Sequence, residues 1–101
     1  MNSYEMLNTM RTRLHEWSST EHIQDIFFAY RFGDISVRVC KNAYDLSIYF
    51  ALIIHIPRLG QYKEGSVRKA YRFIMDCATK EEFLAKARAE ITIQKALENV
   101  Q

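Results

Sequence analysis

The sequence predicts an all-α protein, a compact bundle of about five helices with a long central helix, forming one helical domain over residues 1–101. Three observations point there. Apolar residues recur every three or four positions near both ends of the chain, the period of a helix face. An eleven-residue block, Leu46 to Ile56 (LSIYFALIIHI), holds only Ser47 and His55 as clearly polar side chains and supplies a natural core. Breakers are scarce, with three glycines and one proline in 101 residues.

The first helix is read from Asn2 to Trp17, where Tyr4, Leu7, Met10, Leu14 and Trp17 fall on one face. Ser18 stands three residues before Glu21, a capping-box spacing. Ile23, Ile26, Phe27 and Tyr30 follow at helical intervals, so a second helix is expected to end at Gly33.

The stretch from Asp34 to Ile56 fits two patterns. Ile35, Val37 and Val39 alternate with Ser36, Arg38 and Cys40, and Phe32-Gly33-Asp34-Ile35 resembles a two-residue hairpin turn. That gives the alternative fold class, α+β with a β-hairpin within 24–56. Against it, Asp34, Arg38, Lys41 and Asp45 are spaced four, three and four, a polar stripe on a helix. Ile35, Val39, Ala43, Leu46, Phe50, Ile53 and Ile54 then run down the opposite side. Only a helix satisfies both stripes, so the expectation is one long helix stopped by Pro57, since the residue before a proline is driven out of the helical region.

Val67, Ala70, Tyr71, Ile74 and Cys77 mark another helix from Ser66 to Ala78. Thr79 and Glu82 form a second capping box, opening a last helix that runs to about Asn99. Its alanines at 85, 87, 89 and 96 allow close approach of a neighbour, while Phe83, Leu84, Ile91, Ile93 and Leu97 provide bulk. Apolar groups cover a wide arc, as expected of a helix that packs centrally or that meets a second subunit in a homodimer.

Composition narrows the function classes. The apolar fraction of 49% and charged fraction of 26% are those of a folded protein. The net charge of +2 is far below that of a chain whose whole surface binds nucleic acid. The apolar block is shorter than the roughly 18–20 residues that cross a bilayer, so no membrane partner is expected. Asn2 to Glu5 gives neither a basic leader nor an apolar one, and a cytoplasmic protein is expected. Cys40 and Cys77 match no metal or redox spacing. Free buried thiols are the expectation, with a disulfide as the alternative.

No motif carries chemistry. His15, His22 and His55 lie on separate segments, and no HExxH, CxxC, phosphate-binding glycine loop or nucleophile elbow occurs. His22 and Asp25 could share a helix face, but two ligands fall short of the three or four a zinc site needs. Arg38 or Arg72 beside His55 would be the sole ribonuclease-like pairing, and nothing else supports it. The expectation is no enzyme, no cofactor, no metal and no catalytic residue.

One surface feature stands out. From Pro57 to Arg72 the chain holds Arg58, Lys63, Arg68, Lys69 and Arg72 against the single acid Glu64, a local charge of +4 that leaves −2 for the rest. Tyr62 and Tyr71 lie among these cations. Arg58, Tyr62, Lys63, Arg68, Lys69, Tyr71 and Arg72 are therefore the candidate partner-binding residues of a small interaction or regulatory protein. Its expected partner is a protein with an acidic surface, steered by the cations and anchored by the tyrosines. Nucleic acid bound by the same basic patch is the alternative.

Overall fold

The computed structural model describes residues 1–18, 21–24, 27–54 and 60–99. The chain order is α1 (Ser3–Trp17), β1 (Glu21–Gln24), β2 (Phe27–Phe32), β3 (Ile35–Lys41), β4 (Ile48–Ile54), β5 (Gly60–Glu64), α2 (Val67–Met75) and α3 (Lys80–Asn99). The strands form one antiparallel sheet in sequence order, a meander from β1 to β5. The fold is α+β, which overturns the expected all-α bundle of about five helices with a long central helix. Among the described residues, the expected helices over 21–33 and 34–56 are strands instead. The α+β alternative had the right class, although three strands, and not one hairpin, fill most of 24–56.

The turn chemistry explains why. Gly33 and Asp34 connect β2 to β3, and Gly33 has φ +65°, the backbone a tight hairpin takes from a glycine at its first turn position. Asn42 to Ser47 then interrupt what looked like one helix. The Asn42 side-chain oxygen accepts from the Tyr44 N–H at 2.8 Å, and one Asp45 carboxylate oxygen accepts from both the Ser47 N–H (3.0 Å) and the Ser47 hydroxyl (2.6 Å). These Asx turns compete successfully with a helical backbone. Two members of the supposed polar ladder, Asp34 and Asp45, are thus turn residues. Arg38 and Lys41 belong to a strand.

The apolar residues agree with strands once the turns are placed. Phe28 and Tyr30 of β2, Ile35, Val37 and Val39 of β3, and Phe50 and Leu52 of β4 are all buried, and the register pairs Phe28 with Val39, Val37 with Leu52, and Val39 with Phe50. One sheet face is therefore the core. Four of the five buried residues from Ile35 to Leu52 on that face are β-branched or aromatic, the types that pack best on a pleated surface.

The helices cover this inner face. On α1, Leu7, Met10 and Leu14 are buried, and Asn2 and Glu5 cap its start reciprocally. Ser18 does not open a second helix: its N–H closes α1 on Leu14 O at 2.9 Å, and its hydroxyl donates to Arg31 O at 2.8 Å. Tyr30 donates from the sheet to Arg11 O at 3.2 Å, which fixes α1 across β2. Ala70 and Ile74 of α2, with Phe83, Ala87 and Ile91 of α3, complete the layer. Glu82 accepts from the Ala78 N–H at 2.8 Å and Thr79 Oγ1 accepts from the Glu82 N–H at 3.2 Å, so the second capping box forms one residue wider than expected.

Phe83 is the point where the layers meet. Its ring stacks on Trp17 at 5.4 Å, meets Phe32 at 6.0 Å and stands edge-on to Phe73 at 6.0 Å. Phe73 in turn faces Phe50 and Tyr62. His55, Pro57 and Arg58, and with them the expected proline stop, lie outside the described residues.

Two outcomes test this architecture. Phe83→Ala should cost about 3–5 kcal/mol, the usual loss for truncating a fully buried aromatic side chain, read as a lower urea midpoint. Gly33→Val should cost about 1–3 kcal/mol although no atom obstructs the added carbon, because the penalty lies in the positive φ.

Candidate docking surfaces

The residues expected to act together do not share one surface. Lys63 and Tyr62 are neighbours on β5 and so face opposite sides of the sheet. Tyr62 points inward, half-buried and stacked on Phe73 at 6.1 Å, with its hydroxyl donating to Glu64 Oε2 at 3.2 Å. Burial and then the Glu64 charge push its pKa up. Tyr71 is half-buried against the same core. Neither tyrosine is presented as an anchor.

Arg68, Lys69 and Arg72 do come together, on the exposed side of α2 opposite Ala70 and Ile74. The helix starts at Ser66, whose hydroxyl accepts from the Lys69 N–H at 3.3 Å, and its first turn carries no acid. Glu64 Oε1 accepts from the Ser66 N–H at 3.0 Å and so holds the joint between β5 and α2. This joint carries the chain from the sheet to the helix layer. Lys63 precedes it on the outer face of the sheet, and Arg68, Lys69 and Arg72 follow it in the helix layer.

Lys63 has other company. On the outer sheet face the register sets Arg38 between Ala29 and Ala51, and Ala51 beside Lys63, while Ser36 lies between Arg31 and Ile53. Arg31, Arg38 and Lys63 are all exposed, whereas Ser36 (3%) and Ala51 (2%) form the floor between them. Two strand spacings place the Arg38 and Lys63 backbones roughly 10 Å apart. The described residues of this face include no carboxylate. Arg31 is steadied through its Nε, which donates to Gly33 O.

The ring of Tyr49 occupies the same face, with the Lys63 ammonium 5.1 Å from its centre. Cys40 is its partner in register, and the Cys40 sulfur, followed by burial, raises the Tyr49 pKa. Cys77 lies in the helix layer, buried, and donates from Sγ to Phe73 O at 3.3 Å. Both cysteines are free.

Two features beside the cationic face were not singled out from sequence. Beyond Cys40 and Tyr49, the loop from Asn42 to Ser47 displays Tyr44 at 98% exposure and Leu46 at 63%. Leu46 has φ +63°, a strained backbone for a branched side chain, held by its N–H donating to Asn42 O at 3.0 Å. At the opposite rim, Trp17, Ser18, Arg31, Phe32, Lys80 and Leu84 line an open cleft of about 330 Å³. The signals were present in outline: Arg38 sits on the polar phase of an alternating strand, and Asn42 and Asp45 are turn formers bracketing an aromatic.

Among the described residues no three His, Cys, Asp or Glu side chains gather as metal ligands. No described helix is long and apolar enough to cross a membrane. No family model matches the chain, and neither does a curated protein or a solved structure.

The raised pKa values set an alkaline limit on stability. Burial lifts the Cys77 thiol above its ordinary 9.0, and Tyr49 and Tyr62 lie above 10.0. Each group holds its proton more tightly folded than unfolded. The stability they contribute is whole below the unfolded pKa and is lost as pH rises through the native one. The urea midpoint should therefore fall first above pH 9.0 and further above pH 10.0, and Cys77→Ala should remove the earlier part of the decline.

Proposed function

We propose that this chain is a small, non-enzymatic, cytoplasmic binding protein that docks a protein partner bearing an acidic surface, through the outer face of its sheet. The observation that carries this reading is the set of three exposed cations, Arg31, Arg38 and Lys63, on a face whose described residues hold no carboxylate. Opposite charges across an interface steer the encounter and fix its register. Small floor residues beside Arg38 leave its guanidinium room to fork onto a carboxylate, and Arg31 with Lys80 at the rim cleft can receive another. Tyr44 supplies an apolar anchor at the end of the same face, of the residue type that dominates interface energetics.

A protein partner fits this face better than nucleic acid does. The Tyr49 ring among these cations is already covered by Lys63 and so is not offered bare to a base. The second reading, nucleic acid along α2, has one observation in its favour: Arg68, Lys69 and Arg72 project from successive turns of a helix whose first turn has no acid.

A binding titration separates the two, with a fluorescent polyglutamate peptide and single-stranded and duplex oligonucleotides as probes at low salt. The Arg38→Glu, Lys63→Glu double variant should bind the acidic peptide at least about tenfold more weakly than wild type, a loss expected when charge complementarity is reversed. The Arg68→Glu, Arg72→Glu variant should bind it nearly as well. If the sheet-face variant keeps its affinity, the assignment fails. Oligonucleotide binding that only the α2 variant abolishes would establish the second reading. Tyr44→Ala should leave the urea midpoint unchanged while weakening capture of the native partner.

A further inference from the structure

Along one side of α3, Lys80, Leu84 and Arg88 face the β2–β3 hairpin at intervals of one turn. Arg88 is answered there by Asp34, through two contacts of 3.0 Å. Lys80 is answered by a second cation. It lines the rim cleft together with Arg31, and the described residues of that lining include no carboxylate. Like charges bordering one cleft repel each other, and an anion between them removes that cost.

The donors of the cleft are unspent. Arg31 uses its Nε on Gly33 O, which leaves its two terminal nitrogens without a partner among the described residues. The Lys80 ammonium has no ion pair or hydrogen bond among them either, and the Trp17 indole N–H donates to none of them, although its ring is held by Phe83 and Arg13. Beside these donors stands an apolar wall of Trp17, Phe32 and Leu84, all half-buried. An inorganic anion or a bare acidic side chain would satisfy the cations and leave that wall in water. The volume of about 330 Å³ falls at the lower end of the roughly 300–1,000 Å³ of small-molecule sites.

We propose that this cleft binds a carboxylate that carries a compact apolar group, the carboxylate between Arg31 and Lys80 and the apolar group against Trp17, Phe32 and Leu84. A carboxylate matches the donors: the terminal pair of Arg31 forks onto its two oxygens, and Lys80 Nζ adds a further bond. The ligand can be a free organic acid or the last residue of a peptide, which joins a carboxylate and an apolar side chain at one carbon. The site rests on the proposed function at one point, the carboxylate received by Arg31 and Lys80, and specifies what that carboxylate is attached to. Arg38 and Lys63 lie outside it.

Trp17 is the sole tryptophan of the chain, so its indole N–H gives one peak in a proton–nitrogen NMR spectrum and reports on the cleft directly. Phenylacetate should shift that peak saturably with a millimolar dissociation constant, the affinity expected of a probe of about ten non-hydrogen atoms. Acetate, which lacks the apolar group, and phenylacetamide, which lacks the charge, should bind at least about tenfold more weakly. Lys80→Gln and Arg31→Gln should each weaken phenylacetate about fivefold with an unchanged circular dichroism spectrum. The Arg38→Glu, Lys63→Glu variant should bind it like wild type, so failure of the sheet-face reading and failure of this site are read separately. A peptide ending in phenylalanine should bind with a free terminus and not as its amide. If it binds more tightly than phenylacetate, the ligand is a chain terminus; if it does not, the ligand is a free acid, and either result supports the site. The proposal is overturned if phenylacetate causes no saturable shift, if phenylacetamide binds as well, if phenyl phosphate binds more tightly, or if both cleft variants bind like wild type.

Discussion

The architecture rests on the burial of one ring. Phe83 is fully buried at the start of α3 and touches Trp17 at the end of α1, Phe32 at the end of β2 and Phe73 near the end of α2. Each contact joins a different element, and Phe73 extends the chain of rings to Phe50 and Tyr62 on β4 and β5. Aromatic pairs at these separations add to the stabilisation from area alone. The polar ties are arranged around the same hub. Arg13 lies over the Trp17 ring at 5.4 Å and donates to Cys77 O at 3.0 Å, while Lys86 sits 4.5 Å above Phe73. Arg88 clamps Asp34 from α3 through two 3.0 Å contacts, joining the far end of the β2–β3 hairpin to the helix layer.

Placing all three helices on one side of a five-stranded sheet decides what the other side can be. The outer face has no helix to bury it, and it mixes exposed polar residues such as Arg38 and Lys63 with small floor positions and the half-buried side chains of Phe27, Tyr49 and Ile53. The same layering divides the basic segment. Between Lys63 and Arg68 the chain passes through Glu64, Gly65 and Ser66, where Glu64 uses both carboxylate oxygens to fix the crossing from sheet to helix. Charges five residues apart thereby belong to different surfaces. Arg31 and Arg38, remote from Lys63 in sequence, come to share its face.

The helices were legible and the strands were not, for a physical reason visible in particular residues. In α1, α2 and α3 the 3.6-residue period, the caps at Ser66 and Thr79 and the final alanines all point the same way, and helical hydrogen bonds are made within the segment that carries the signal. From Glu21 to Ile54 the apolar residues are dense enough to satisfy periods of both 2 and 3.6. The deciding evidence there was turn chemistry: Gly33-Asp34 was recognised as a hairpin candidate, whereas Asp45 was counted in a helical polar stripe and the Asx turn at Asn42 was passed over. The apolar block from Leu46 to Ile56, read as core, is core only in part of its described residues, for Leu46 lies exposed in the loop before β4. Its central residues form the interior strand β4, flanked by β3 and β5 and buried at Phe50, Ala51 and Leu52.

The sequence by itself determined the three helices, the caps at Ser66 and Thr79, the richness of aromatic core residues and the excess apolar arc of α3. Each is a property of neighbours within a few positions, where propensity, periodicity and capping act directly. Only the tertiary structure decided that residues 27–54 pair as strands, that Tyr62 serves the core while Lys63 faces away from it, and that Arg31, Arg38 and Lys63 share a surface. Those outcomes depend on hydrogen bonds between separate segments and on which sheet face the helices cover. A one-dimensional pattern carries the charges but not the sheet that sorts them.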